Sequence, residues 1–147
     1  MLDLTLAICH HLLVFAIFGV LWIEWVLVRP GLTLSALRTI AAMDLAYGAA
    51  AGLVIVIGFA RVIWAAKGWD YYSHNVFFWA KIGVFLMIGL LSIGPTISFL
   101  TWRRAQQLPG EGAIRAVRRV LSIELALFVL LPAFAAAMAR GYGQLPH

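Results

Sequence analysis

The fold is decided by residues 4–28, LTLAICHHLLVFAIFGVLWIEWVLV, an apolar run interrupted by His10, His11 and Glu24. A membrane-spanning helix needs about 20 apolar residues, because the hydrocarbon core of a bilayer is ~30 Å thick. The first run has Asp3 where a signal peptide carries basic residues, and it is longer than a signal sequence's apolar region, so we expect it to remain as a span. Three further runs of this kind lie at residues 39–66, 76–102 and 120–139.

The composition is that of a membrane protein. Hydrophobic residues make up 64% of the chain and charged residues 12%, whereas soluble domains are about half apolar and about a quarter charged. The net charge of +5 does not indicate nucleic-acid binding, because the basic residues lie at the ends of apolar runs. Cys9 is the single cysteine, which excludes an intramolecular disulfide. The sequence predicts one all-α domain over residues 1–147, an integral membrane four-helix bundle.

The basic residues predict the orientation of this bundle. Because cytoplasmic loops are enriched in lysine and arginine, the arginine-rich connections should be inside and both termini on the outer side. The short second connection makes the second and third spans antiparallel neighbours. Small residues at 48–52 predict close helix contact and, with another protomer, a homodimer. The first and third connections carry Arg29, Arg38, Arg103, Arg104, Arg115, Arg118 and Arg119, and the opposite side carries Arg61, Lys67, Lys81 and Arg140.

Ionisable side chains inside the apolar runs form two groups at matched depths. His10, Arg61 and Lys81, which we call the basic layer, lie about 8–10 Å below the predicted outer surface. Charge in hydrocarbon costs at least a few kcal/mol per group, so such residues are candidates for a functional site. Three basic groups at one depth need an anionic or electron-rich ligand between them. A b-type haem suits this arrangement, because histidine ligates iron and cations pair with the propionates.

Helical phase suggests which residues would bind the haem. We expect His10 to be the axial ligand, because it shares a helical face with Glu24, whereas His11 points about 100° away. Lys81 or His74 would be the sixth ligand or a propionate partner. The cofactor-binding candidates, including loop residues that would close the pocket, are His10, His11, Arg61, Lys67, Tyr72, His74 and Lys81, of which His10 and Lys81 are the metal-ligand candidates.

Glu24, Asp44 and Glu124 form the second group, which we call the acidic layer, about 6–9 Å from the predicted inner surface. Tyr47 follows Asp44 by about one helical turn. Like charges this close cannot all persist without a compensating cation. We therefore expect a proton route to a redox centre, a hard-cation site or a transport gate, with Glu24, Asp44, Tyr47 and Glu124 as the catalytic candidates.

Both layers have a structural alternative. Arg61 and Lys81 would extend to the outer headgroups while His10 forms a hydrogen bond within the bundle. The acidic layer would pair with arginines near the inner surface: Arg38, Arg103, Arg118 or Arg119. Three functional classes therefore stay open: a haem-dependent electron carrier or oxidoreductase, a proton or metal-ion carrier or channel, and an accessory subunit of a larger membrane complex.

Two resemblances bear on this choice. AICHHLLVFAIFGVLWIEW (residues 7–25) with FFWAKIGVFLMIGLLS (77–92) is similar to the bacterial haem-containing membrane protoporphyrinogen oxidases, and copper-resistance protein D looks like a more distant relative. The oxidase resemblance implies a haem site at His10 or His11 and Lys81, with quinone or a porphyrinogen as substrate, although Ile82 replaces that family's leucine. KGWDYYSHNVFFWAKIGVFLMIGLLSIGPTISFLTWRR (67–104) resembles a bacterial four-helix family known only as domain of unknown function 2214, which implies a multi-pass protein of the bacterial inner membrane.

Overall fold

The computed structural model describes residues 2–64 and 68–145, and these residues are almost entirely helical. The predicted all-α fold with four membrane-length helices is confirmed, whereas the placement of both termini outside stays a prediction. The helices are α1 (Leu2–Leu27), α2 (Leu34–Trp64), α3 (Gly68–Ser73), α4 (Val76–Ala105), α5 (Glu111–Phe128) and α6 (Leu130–Ala139). The segments long and apolar enough to cross a membrane are Leu4–Leu27, Leu34–Trp64, Val76–Ala105 and Glu111–Ala139.

Two helices begin earlier than their apolar runs predicted. α2 begins at Leu34 rather than at residue 39, because the Thr33 hydroxyl accepts a hydrogen bond from the Ala36 N–H at 3.2 Å, as a helix N-cap does. α5 begins at Glu111 rather than at residue 120, and Glu111 pairs with Arg115 at 3.1 Å in its first turn. The predicted starts were wrong because hydropathy marks the apolar part of a helix and misses its polar extension.

Prolines affect the third and fourth spans differently. The last span is interrupted at Val129, between α5 and α6, because Pro132 has no N–H to donate to the carbonyl of Phe128. α4 continues through Pro95, which is buried within the bundle. The short connection between the second and third spans contains the short helix α3.

The helices pack as a closed ring of neighbours. α1 packs on α2, α2 on α4, α4 on α5 and α6, and α5 on α1, as in an up-down bundle. The second and third spans are therefore neighbours, as predicted. The start of α1, the end of α6 and α3 lie at one end of the bundle, which we call the terminal end. The α1–α2 turn and the α4–α5 connection lie at the other, which we call the loop end.

Apolar side chains fill the middle of the bundle. Ile17 and Leu21 of α1, Val54 of α2, Ile88 of α4 and Phe128 of α5 are buried in one cluster, which we call the central cluster. Many large apolar side chains also lie on the outer surface of the four long helices. An exposed apolar surface of this extent is typical of contact with lipid.

Candidate functional site

The acidic layer is assembled from three helices in the loop-end half of the bundle. Glu24 of α1, Asp44 of α2 and Glu124 of α5 have exposed fractions of 2%, 4% and 0%. On α1, Glu24 continues the buried stripe of Ile17 and Leu21 at helical spacing, and this turns it inward. The charges of the three carboxyl groups are close enough to interact with one another. The residues matched by depth therefore lie in one region inside the bundle.

Most carboxylate oxygens of the acidic layer have no hydrogen-bond partner in the part of the chain that the structure describes. Thr96 of α4 donates a hydrogen bond to Asp44 Oδ1 at 3.0 Å. Glu24 Oε1, Asp44 Oδ2 and both carboxylate oxygens of Glu124 are buried without a partner among the described residues. An unsatisfied buried polar group costs ~1–3 kcal/mol, so such groups call for a functional or structural reason. The carboxylate oxygens of the acidic layer could therefore accept further hydrogen bonds that residues 2–64 and 68–145 do not provide.

Two of the arginines considered as partners make contacts elsewhere. Arg118 Nη1 donates to the main-chain oxygens of Trp25 and Val28, both at 2.9 Å, and its guanidinium carbon lies 4.1 Å from the centroid of the Trp25 ring. Arg38 Nη2 donates to Gln106 Oε1 at 2.6 Å. Arg118 thus satisfies carbonyl groups at the C-terminal end of α1, where a cation is electrostatically favoured. Both guanidinium groups are engaged away from the acidic layer.

Tyr47 extends the acidic layer towards the middle of the bundle. Its ring is buried one turn after Asp44, close enough to all three carboxyl groups for electrostatic interaction, and its hydroxyl lies near that of Ser92 of α4. The Ser92 hydroxyl donates to the carbonyl of Gly89 at 2.9 Å. The acidic layer is therefore bordered by hydroxyl groups from α2 and α4.

The basic layer is assembled in the terminal-end half from α1, α2 and α4. His10 packs against α2, where a Cβ atom on Gly58 would lie 3.4 Å from His10 Cε1, and its ring lies near the main chain of Val54. The charges of Arg61 and Lys81 are near enough to act on His10 and on each other. Nδ1 of His10 is buried without a hydrogen-bond partner among the described residues. The three predicted basic residues thus lie in one region of the bundle.

The other cofactor-binding candidates lie away from this interior. His11 is exposed, and its Nδ1 lies 2.6 Å from a main-chain carbonyl one turn earlier. His74 follows α3 at the terminal end, where its Nδ1 lies 2.9 Å from the carbonyl of the residue four positions before it. Tyr72 packs its ring 5.7 Å from that of Phe78, measured between centroids. Lys67 lies outside the described residues.

The two layers are separate sites. His10 and Glu24 are fourteen residues apart on α1, and Gly58, which contacts His10, is fourteen residues beyond Asp44 on α2. At 1.5 Å per residue, each interval is ~21 Å. The central cluster of buried apolar side chains fills this interval. A ligand in one layer would therefore not touch the other.

The sequence did not predict the hydrogen bonds at the terminal end that join residues 140–145 to the start of α4. Asn75 is fully buried; its Oδ1 accepts hydrogen bonds from two main-chain N–H groups of α4, and its Nδ2 donates to the carbonyl of Tyr142 at 3.0 Å. Val76 N donates to the carbonyl of Gly143 at 2.9 Å. Residues 140–145, which we call the terminal strap, are thereby fastened to the α3–α4 joint. Asparagine directly before an apolar run is an N-cap signal, which could have predicted the cap but not the strap.

The carboxyl groups do not converge as metal ligands usually do. Hard cations such as Ca²⁺ take six to eight oxygen ligands in a compact shell. Within residues 2–64 and 68–145, no group of three or more His, Cys, Asp or Glu side chains has an arrangement that could hold a metal ion. A proton needs only one carboxylate oxygen, so proton binding places no such demand on the geometry.

Comparison with known proteins identifies a family and no activity. No curated protein and no solved structure matches the chain. The resemblances to the haem-containing oxidases and to copper-resistance protein D are not shown by these comparisons and stay predictions. A family model described as "Predicted membrane protein (DUF2214)" matches residues 2–143, and since this is nearly the whole chain, the protein belongs to that family.

Proposed function

We propose that this protein is a membrane proton carrier and that the acidic layer is its proton-binding site. The observation that carries the proposal is the set of buried carboxylate oxygens, on Glu24, Asp44 and Glu124, that have no partner among the described residues. Ionisable residues in the interior of membrane bundles mark ion pathways and proton relays. A carboxyl oxygen without a fixed partner takes up or releases a proton without breaking a hydrogen bond of the protein.

The surroundings of the acidic layer support this role. Tyr47 and Ser92 lead from the carboxyl groups towards the middle of the bundle, and a hydroxyl group accepts a proton on its oxygen while donating its own. The central cluster then separates the two layers and acts as the barrier against free leakage. The basic layer, which contains His10, lies on the far side of this barrier.

The proposal is tested by proton flux in liposomes that contain the purified protein and a pH-sensitive dye. Under a potassium diffusion potential, the wild-type protein should acidify the lumen faster than empty liposomes do. Glu124→Gln should lower the flux by about 10²-fold, because an amide cannot exchange protons in place of a carboxyl group. Asp44→Asn should act in the same direction.

Glu111→Gln is the matched control, because it removes an exposed carboxylate that pairs with Arg115 and should leave the flux unchanged. Equal fluxes for Glu124→Gln and Glu111→Gln would overturn the proposal. So would a wild-type flux no greater than that of empty liposomes.

Electron transfer through a b-type haem at the basic layer is a second candidate function. The observation that favours it is the buried Nδ1 of His10, which has no hydrogen-bond partner in the described chain and lies beside Arg61 and Lys81. An imidazole nitrogen ligates haem iron, and two cations suit two propionates. Of the described histidines, His10 alone lies inside the bundle. The basic layer therefore offers one histidine as an axial ligand for the haem iron. Electrons would pass to or from a quinone or a porphyrinogen.

The absorption spectrum of the protein purified without added haem tests this second candidate. A Soret band that shifts on reduction, and that is lost in His10→Ala, would support haem ligation in the basic layer. His11→Ala is the matched control and should keep the band, because the His11 ring is exposed. A colourless protein that does not bind added haem would contradict the candidate.

A further inference from the structure

A third polar site lies at the loop end, outside both layers. Leu100, Arg103, Arg104 and Gln106 line a cavity of about 280 Å³ where α4 ends. Gln106 has a φ of 51°, in the left-handed region. Both polar atoms of its side-chain amide form hydrogen bonds. Its Nε2 donates to the Arg103 carbonyl at 2.6 Å, and its Oε1 accepts from Arg38 Nη2 at 2.6 Å. Gln106 therefore fastens an arginine of α2 beside two arginines of α4.

The charge of this cavity is strongly positive. Arg103 and Arg104 are exposed, and the partner of Arg38 is a neutral amide, which leaves its charge uncancelled. Glu111, the carboxylate of the adjoining connection, is paired with Arg115 at 3.1 Å. Guanidinium groups bind phosphate oxygens through paired N–H donors and are the preferred side chains for phosphate recognition. The chemistry of the cavity therefore suits a phosphate group.

An exposed apolar stripe leads along α4 to this cavity. Leu90, Ile93 and Ile97 are 70%, 52% and 59% exposed. Together with Leu100 and Arg104 they lie at intervals of three and four residues, which places them on one helical face. From Leu90 to Leu100 the stripe is ~15 Å long. This is about half of the ~30 Å hydrocarbon core, the depth of one leaflet.

We propose that the cavity binds the phosphodiester headgroup of an anionic phospholipid, with an acyl chain of that lipid lying along the stripe. Clusters of basic residues at the ends of membrane helices are known to bind anionic lipid headgroups. Inorganic phosphate could form the same hydrogen bonds with the arginines as the headgroup, but it has no acyl chain to pack on the apolar stripe. A phospholipid should therefore bind more tightly than inorganic phosphate.

The test is lipid binding to the full-length protein in a neutral detergent, measured by native mass spectrometry. Phosphatidylglycerol should bind saturably and at least about tenfold more tightly than phosphatidylcholine, because the choline cation of phosphatidylcholine offsets the charge of the same phosphodiester and repels the arginines. Inorganic phosphate should neither bind with comparable affinity nor displace phosphatidylglycerol at equal concentration. Displacement of the lipid by equimolar phosphate would overturn the lipid assignment.

Variants locate the binding within the cavity. Arg104→Gln should weaken phosphatidylglycerol binding about tenfold, whereas Arg119→Gln on α5 removes the same charge outside the cavity and should not. Gln106→Gly keeps a residue that tolerates positive φ while releasing Arg38, so it should also weaken binding. Equal effects of Arg104→Gln and Arg119→Gln would show attraction to overall charge alone and would overturn the proposal.

Discussion

Replacing Glu124 with methionine should stabilise the protein while abolishing its proton-carrying activity. Glu124 is fully buried, and neither of its carboxylate oxygens has a partner among the described residues. Burial of a polar group without a hydrogen bond costs ~1–3 kcal/mol in mutational data. Methionine has a similar length, is apolar and adapts to irregular packing. We therefore expect Glu124→Met to raise the free energy of unfolding by about 1–3 kcal/mol.

The assay is unfolding in mixed micelles with increasing dodecyl sulfate, followed by circular dichroism. Glu111→Met is the matched control, because the same substitution at a side chain that is 72% exposed should change the free energy by less than about 0.5 kcal/mol. Leu121→Ala, in the same buried stripe, should lose about 2–5 kcal/mol and shows that the assay senses this region. A loss of about 1 kcal/mol or more in Glu124→Met would refute the reasoning, because it would mean that the carboxyl group has stabilising partners.

Three further predictions concern the ends of the bundle. Gly143→Ala should destabilise the protein more than Gly141→Ala. Both glycines have a positive φ, 78° and 81°, but only at Gly143 would a Cβ atom come within 2.6 Å of the Phe77 ring. Equal melting temperatures of the two variants would contradict this prediction. Asn75→Ala should lower the free energy of unfolding by about 2–4 kcal/mol, because it removes an N-cap and the donor to a buried carbonyl, and a loss below about 0.5 kcal/mol would argue against the strap. Gly110→Cys should react with an impermeant thiol reagent only after the membrane is opened, and labelling of intact cells would reverse the orientation.

The parts of the fold that depend on local sequence could be predicted. The runs at 4–28 and 76–102 lie close to α1 and α4, because apolar length alone sets the span of a membrane helix. Glu24 could be placed inside the bundle because inward-facing positions recur at helical spacing. The start of α5 could not be found this way, since its first turns carry Arg115 and Arg118 in a polar extension beyond the apolar run.

The parts that depend on partners distant in sequence could not be predicted. The choice of Arg118 to cap α1 at Trp25 and Val28, away from the acidic layer, depends on how α5 is rotated in the bundle. The attachment of the strap to Asn75 joins segments almost seventy residues apart. The position of each carboxyl group along its predicted span placed these groups at one membrane depth. Only the packing of the helices shows that most of their oxygens lack partners among the described residues.

The exchange of protons by the acidic layer is measured most directly by infrared difference spectroscopy of the protein in lipid bilayers at two pH values. The carbonyl stretch of a protonated carboxyl group reports its proton without relying on transport. We predict a pH-dependent carboxyl band in the wild-type protein that loses a component in Glu124→Gln and keeps it in Glu111→Gln. A band identical in all three proteins, or no pH-dependent band from a buried carboxyl group, would contradict the proposed proton carrier.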